Sequence, residues 1–151
     1  MSNYYTSDGA AFKSERDDWE TPQALFDRLD AVYHFTLDPC STDANAKCAK
    51  HYTKEDDGLA RSWEGETVFC NPPYGRNIAA WVRKCAEESA HATVVMLIPA
   101  RTDTAYFHDY IYKKAAIEFI RGRLKFERGG FRCSPHRSPR CSSISMTRRH
   151  T

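Results

Sequence analysis

Apolar runs and polar breaks along the chain predict a short series of helices and strands. Leu25, Phe26, Leu29 and Val32 recur at helical spacing behind Thr21-Pro22, where Thr21 suits an N-cap and Pro22 the first helical position. Phe35-Thr36-Leu37-Asp38-Pro39-Cys40 reads as a short strand ending in an acid and a proline. Val68-Phe69-Cys70 is a second apolar run, and Ile78, Ala79, Trp81, Val82, Cys85 and Ala86 mark an amphipathic helix beyond it. The segment from Ala92 to Pro99 is the strongest strand, with the near-continuous apolar pattern of a strand buried on both faces in a parallel sheet. Ala105 to Lys114, with Tyr106, Phe107, Tyr110 and Tyr112, reads as an aromatic-rich helix, and Ala115 to Ile120 as a further strand.

The flanks carry no such pattern. Residues 1–18 are polar with little periodicity and are expected to form a flexible arm. From Gly129 to Thr151 the chain holds Cys, Ser, Pro, Arg and His without strand or helix period. The expectation is a folded domain over 19–128 and a basic, irregular tail over 129–151, with no final strand to complete the sheet.

Composition changes this picture in two ways. A chain of 151 residues is one domain with a single core, and it has no apolar run of membrane-spanning length and no signal-peptide pattern. The net charge of +2 conceals an asymmetry. Residues 121–151 hold nine Lys/Arg against one acid, a net of +8, and residues 1–120 hold thirteen against nineteen, a net of −6. A basic end on an acidic body suits contact with a polyanion. Six cysteines, Cys40, Cys48, Cys70, Cys85, Cys133 and Cys141, form no Cys-x-x-Cys pair and read as reduced thiols of a cytoplasmic protein, not as a metal site.

The candidate chemistry centres on Asn71-Pro72-Pro73-Tyr74, followed by Gly75. Two prolines fix φ near −65° and remove two N–H donors, so the elbow can neither extend a ladder nor open a helix. The backbone carbonyls there stay available as acceptors, Asn71 adds a side-chain carbonyl, and Tyr74 adds a flat face for stacking. Two acceptors and a ring at the carboxyl end of a strand make a receptor for a planar group bearing an NH2. Open α/β sheets bind ligands at that edge. Arg101, a cation at the exit of the strongest strand, is a candidate phosphate contact. The helix behind Thr21-Pro22 presents N–H donors to an anion.

Asn-Pro-Pro-Tyr resembles the amino-group signature of S-adenosylmethionine-dependent methyltransferases acting on adenine, cytosine or glutamine nitrogen. Other motifs widen the resemblance: Trp-x-Thr-Pro, Leu-Asp-Pro-Cys, Asp-Asp-Gly-Leu, Phe-Cys-Asn-Pro-Pro-Tyr-Gly, Pro-Ala-Arg-Thr-Asp-Thr and Arg-Gly-Arg-Leu-Lys-Phe. Between Trp19 and Phe126 they stand in the order seen in phage-type DNA N6-adenine methyltransferases of the Dam class. The resemblance implies an α/β three-layer sandwich with a largely parallel sheet of Rossmann-like methyltransferase type. It implies methyl transfer from S-adenosylmethionine to the exocyclic N6 of adenine in DNA, the base flipped from its duplex. On this chain Asn71, Pro72, Pro73 and Tyr74 would be catalytic. Thr21, Pro22, Asp38, Pro39 and Asp57 would hold the cofactor, and Arg101, Arg121, Arg123 and Lys125 the nucleic acid, with no metal and no membrane. The glycines expected after Asp38-Pro39 are replaced by Ser41 to Lys47. Two further readings share the same residues: a protein-glutamine N-methyltransferase and a non-catalytic DNA-binding relative. Nothing in the sequence sets the target site or the oligomeric state.

Overall fold

The computed structural model describes residues 20–121, 124, 127–128, 131–132 and 143–148. The expected arm, Trp19, Arg123, Lys125 and the remainder of the tail lie outside the described residues. In chain order the elements are helix α1 (Gln23–Tyr33), strands β1 (Leu37–Asp38), β2 (Lys50–His51) and β3 (Thr67–Cys70), helix α2 (Ile78–Glu88) and strand β4 (Thr93–Pro99). A short π-helix (Phe107–Ile111) precedes β5 (Ala116–Phe119), β6 (Glu127–Arg128), β7 (Phe131–Arg132) and β8 (Ser143–Arg148).

Six strands form one sheet in the order β2-β1-β3-β4-β8-β5, and β6 and β7 pair separately as an antiparallel ribbon. The neighbours β2, β1, β3 and β4 are all parallel, with Val68 opposite Val94 and Cys70 opposite Met96. Strand β8 runs antiparallel to both its neighbours, so β5 runs in the direction of the parallel four.

Side chains alternate across the sheet and sort into two cores. On one face Val68, Cys70, Val94, Met96 and Ile98 pack with Trp81, Val82 and Cys85 of α2 and with Phe107 and Ile111 of the π-helix. On the other face Phe69 and Leu97 pack with Leu25, Phe26 and Leu29 of α1. Helices therefore cover both faces of a largely parallel sheet, which is the expected three-layer α/β architecture. Each fully buried apolar side chain contributes about 1.5–3 kcal/mol relative to exposure.

Several local expectations are corrected. The tail does supply a sheet strand: Ser143–Arg148 lies between β4 and β5, with Met146 opposite Met96 and Ile117. An irregular end without a final strand is thus the wrong description of these six residues. The first strand is shorter than Phe35–Cys40, because only Leu37 and Asp38 are flanked by ladder partners. Val32 is 66% exposed, since α1 meets the sheet through a narrower stripe of Leu25, Phe26 and Leu29. The helix expected over Ala105–Lys114 is one α-turn followed by the π-helix, in which Tyr112 N–H reaches back to the Phe107 carbonyl at 2.8 Å. That widened turn buries Phe107 and Ile111 while leaving Tyr112 exposed.

Candidate active site

Strands β1, β3 and β4 are parallel and adjacent, so Pro39-Cys40, Asn71-Pro72 and Ala100-Arg101 leave the sheet on one edge. At this edge lies a cavity of about 310 Å³. Its walls come from the loop after β1 (Pro39, Cys40, Ser41), the loop before β3 (Asp57, Gly58, Leu59), the elbow (Asn71, Pro73) and Trp81 of α2.

The loop after β1 is fastened from below by Asp38. This side chain is 5% exposed; Oδ2 accepts from the Lys47 N–H at 3.0 Å and Oδ1 from the Cys40 N–H at 3.4 Å. Burial raises the Asp38 carboxyl above the ordinary aspartate range, against the lowering effect of those two N–H groups. Asp38 is absent from the cavity wall and spans the loop that forms it. Cys40 ties the same loop to the elbow: its Sγ donates to the Asn71 carbonyl at 3.2 Å and lies 3.6 Å from Cys70 Sγ. Burial pushes the Cys40 and Cys70 thiols up, which keeps them protonated donors. Ser41 Oγ, on the cavity wall, is buried and has no hydrogen-bond partner among the described residues.

The opposite wall depends on Gly58. A Cβ at this position would sit 2.0 Å from the Pro39 carbonyl oxygen and 3.2 Å from the Trp81 ring, so only glycine allows the two loops to close over α2. Asp57 beside it adopts φ +54°, a left-handed conformation that Asp tolerates better than most residues. Its side chain is exposed at the cavity. Trp63 holds this wall in place: its indole N–H donates to the Gly58 carbonyl at 3.1 Å and its ring stacks on Trp81. The Trp63 backbone N–H donates to Glu88 Oε2 at 2.9 Å, and Lys84 pairs with the same carboxylate. Burial alone would raise Glu88, but the Lys84 ammonium and the Trp63 N–H together hold it below the ordinary glutamate range.

The elbow follows β3 as expected. Pro72 is buried, and Asn71, Pro73 and Tyr74 are half-buried. Asn71 and Pro73 line the cavity, whereas Tyr74 packs toward the α1 core. The cap expected of Thr21 is not made. Helix α1 starts at Gln23 with Pro22, extended at ψ 131°, in the cap position, and this sets Thr21 one residue too early to reach the first turn. Thr21 is instead 2% exposed, and its hydroxyl accepts from Asn71 Nδ2 at 2.9 Å. Arg101 and Arg121 are both exposed. The roles of Gly58, Ser41, Trp81 and the Thr21–Asn71 bond were not anticipated. Gly58 had a visible signal, a glycine directly after an acid in a polar loop. The Thr21–Asn71 bond, bridging distant segments, had none.

Among the described residues no group of three or more His, Cys, Asp or Glu is placed to hold a metal, and no helix is long and apolar enough to cross a membrane. The parallel sheet and the Asn-Pro-Pro-Tyr elbow beside a strand-exit cavity are of the Rossmann-like methyltransferase type. The chain belongs to the DNA N-6-adenine-methyltransferase (Dam) family, whose model matches residues 8–151 and so takes in most of the expected arm and the whole tail. It is 34% identical over 112 residues to a DNA N-6-adenine-methyltransferase of Escherichia phage T1, covering 72% of this chain and 47% of that protein. It is 30% identical over 111 residues to a DNA N-6-adenine-methyltransferase of Haemophilus phage HP1, covering 72% of this chain and 64% of that protein. The matched region thus spans about half to two thirds of the length of these curated relatives.

Proposed function

We propose that the chain transfers a methyl group from S-adenosylmethionine to the exocyclic N6 amino group of adenine in DNA, in the cytoplasm of a bacterial or phage-infected cell. The observation that carries this reading is the position of Asn71: it closes strand β3, lines the cavity and belongs to the doubly proline-stiffened elbow. The names of the phage relatives support adenine in DNA as the substrate.

The cavity residues fit a nucleoside-bearing cofactor. Pro39, Leu59 and Trp81 offer apolar walls for a flat base, Asp57 an acceptor for hydroxyls, and Ser41 a buried hydroxyl lacking a partner among the described residues. Thr21-Pro22 leads into the N-terminus of α1, whose N–H groups suit a carboxylate. Asp38 contributes by holding Pro39 and the rest of its loop against the cavity. S-adenosylmethionine supplies an activated methyl group.

The chain's own residues deal with the poor nucleophilicity of the adenine amino group, whose lone pair is delocalised into the ring. Asn71 Oδ1 and the Pro72 carbonyl accept its two N–H groups, draw the nitrogen toward tetrahedral geometry and localise the pair. Pro73 keeps the acceptors from rearranging. Preorganised acceptors of this kind act on the transition state more than on the bound base. Flipping the base from a duplex costs a few kcal/mol. Base stacking on an aromatic ring is worth about 1–3 kcal/mol and offsets part of that cost; Tyr74, half-buried beside the elbow and outside the cavity wall, is the ring we assign to it. We assign the phosphates to Arg101 and Arg121, which are exposed, and by sequence to Arg123 and Lys125, which lie outside the described residues. Cations of this kind favour a nucleic acid over a glutamine-bearing protein as substrate.

The test is Asn71→Ala, assayed by single-turnover methyl transfer to adenine-containing DNA, by calorimetric cofactor binding and by thermal melting. The rate should fall at least about a hundredfold. Cofactor affinity should stay near native, and the melting temperature should drop only by what an unpaired Thr21 hydroxyl costs, about 1 kcal/mol. Near-native turnover would remove the elbow from the chemistry.

A further inference from the structure

We infer that Arg76 holds the DNA phosphate adjoining the target adenine and so helps to place that base on the elbow. The inference rests on the reading of Asn71 and Pro72 as the receptor for the amino group, given above. It adds a residue to the substrate side of the site, separate from cofactor binding.

The cations of the chain divide into two groups. Arg28, Lys50, Arg83 and Lys84 each pair with a carboxylate. Lys54, Arg76, Arg101 and Arg121 make no ion pair among the described residues. This second group is not scattered over the surface. Lys54 follows β2, Arg76 follows β3, Arg101 follows β4 and Arg121 follows β5, and all four strands run in one direction. The unpaired positive charge is thus gathered at the edge that holds the elbow and the cavity. Residues 1–120 carry thirteen Lys/Arg against nineteen acids, so most cations there have an acid to meet. Cations left unpaired along one edge of such a body make a local positive field that draws an anion from outside.

Arg76 has the closest tie to the receptor, five residues after Asn71 and two after Tyr74. The Gly75 carbonyl accepts from the Ile78 N–H at 3.3 Å, which closes a turn with Arg76 at its corner. Asn77, the next residue of that turn, lines the cavity. The backbone of Arg76 is therefore held beside the cavity while its side chain is exposed. No Asp or Glu occurs from Thr67 to Ala86, so no acid close in sequence competes for the guanidinium. Arg83, within the helix that the turn begins, is instead paired with Glu87. A base and its phosphates are joined through a single sugar. A base whose amino group sits at Asn71 and Pro72 thus brings a phosphate within reach of a long side chain one turn away. The guanidinium fork matches two phosphate oxygens at once and fixes direction as well as charge. A phosphate gripped in this way narrows the poses open to the flipped base, so the grip acts on the methyl-transfer step and not on affinity alone.

The test compares Arg76→Gln, Arg76→Lys and Arg83→Gln in the full chain, with a short adenine-containing DNA duplex as the probe. Arg76→Gln should weaken duplex binding and flatten the slope of log affinity against log salt by about 0.9, the value of one phosphate contact. With duplex and S-adenosylmethionine both saturating, its single-turnover rate should still fall about tenfold, because the base is less well placed. Calorimetric affinity for S-adenosylmethionine should stay within about twofold, since Arg76 does not line the cavity. Arg76→Lys keeps the charge without the fork, so it should restore the slope and only part of the rate. Arg83→Gln removes a cation that Glu87 already neutralises, and should leave slope and rate as they are.

An equal flattening in Arg83→Gln overturns the inference, because net charge alone would then explain the effect. A flattened slope with a native saturating rate in Arg76→Gln also overturns it, by placing the phosphate away from the target base. A wild-type chain that transfers no methyl group to adenine sinks the functional reading, and the slopes then still decide whether Arg76 grips a phosphate. An active wild type with an unchanged slope in Arg76→Gln sinks the inference alone.

Discussion

The two faces of the sheet are built for opposite ends. On the α1 face the aromatic rings of Phe26, Phe35 and Phe69 meet at 5.2–5.6 Å and close the space between helix and sheet. On the α2 face two loops arch over Trp81 and leave a cavity of about 310 Å³ between them. One face obtains order by filling, through contacts that are individually weak and collectively large. The other obtains it by fastening, through Asp38, Cys40, Gly58, Trp63 and Glu88, each of which ties down a wall and keeps it from collapsing inward. Asn71 belongs to both: its side chain reaches Thr21 at the start of α1, and it also lines the cavity. A rigid face next to a hollow one lets a site be open without being soft.

That contrast can be broken from either side. The largest effect on stability should come from the filled face: Phe69→Ala removes a ring that is 1% exposed and touches two others, at a cost of about 3–5 kcal/mol. Chemical denaturation measures this, and cofactor affinity of the folded fraction should change little because Phe69 does not line the cavity. Gly58→Ala attacks the hollow face. The added methyl forces the Pro39 loop away at a cost of about 1–3 kcal/mol, with a disproportionate loss of cofactor binding. Calorimetry that found native affinity in Gly58→Ala would show that the cavity walls tolerate separation.

The smallest effect concerns the outer end of the loop after β1. There His51 Nε2 lies 2.8 Å from Asp43, and the Asp43 carboxylate, followed by the Ala49 carbonyl, raises the His51 pKa. A raised folded-state pKa means that the pair stabilises fully below the unfolded value of about 6.5. That contribution fades as pH climbs through the raised folded value. Because Asp43 is exposed, melting temperatures of wild type and His51→Gln should differ by only about 1–2 °C below pH 6, and converge at alkaline pH.

Much of this architecture was legible in the sequence where burial is continuous. Strand β4 and helix α2 announce themselves because their inward positions are apolar, with Glu88 at the end of α2 the exception, and the Pro-Pro elbow because proline has few backbone options. Strand β8 was missed for a physical reason. Ser143-Ile144-Ser145-Met146-Thr147 does alternate with period two, but it is brief and stands alone after a stretch rich in Pro, Ser and Arg. Its place is set by the ladders of β4 and β5 on either side, which no local pattern encodes. The π-helix was missed because the spacing of Tyr106, Phe107 and Tyr110 suits an α-turn equally well. Thr21 and Asp38 were read from their immediate neighbours as a cap and a ligand acid. Thr21 bonds a residue far along the chain, and Asp38 holds its own loop from beneath.

The position of β8 also orders the events of folding. Strand β5 precedes β8 in the chain, yet it touches the main sheet only through β8. While the chain from Ala116 to Phe119 waits, β4 shows an unpaired edge along one of the most apolar segments of the molecule. Closing that edge requires Pro99 to find Ser143 and Val94 to find Arg148, contacts of high sequence separation that form late and slowly. Until they form, the half-built sheet is a species prone to pair with its own kind. The time for which that edge stays open therefore depends on how fast one short, weakly apolar strand reaches its slot, a kinetic burden carried by residues distant in sequence from the elbow and the cavity.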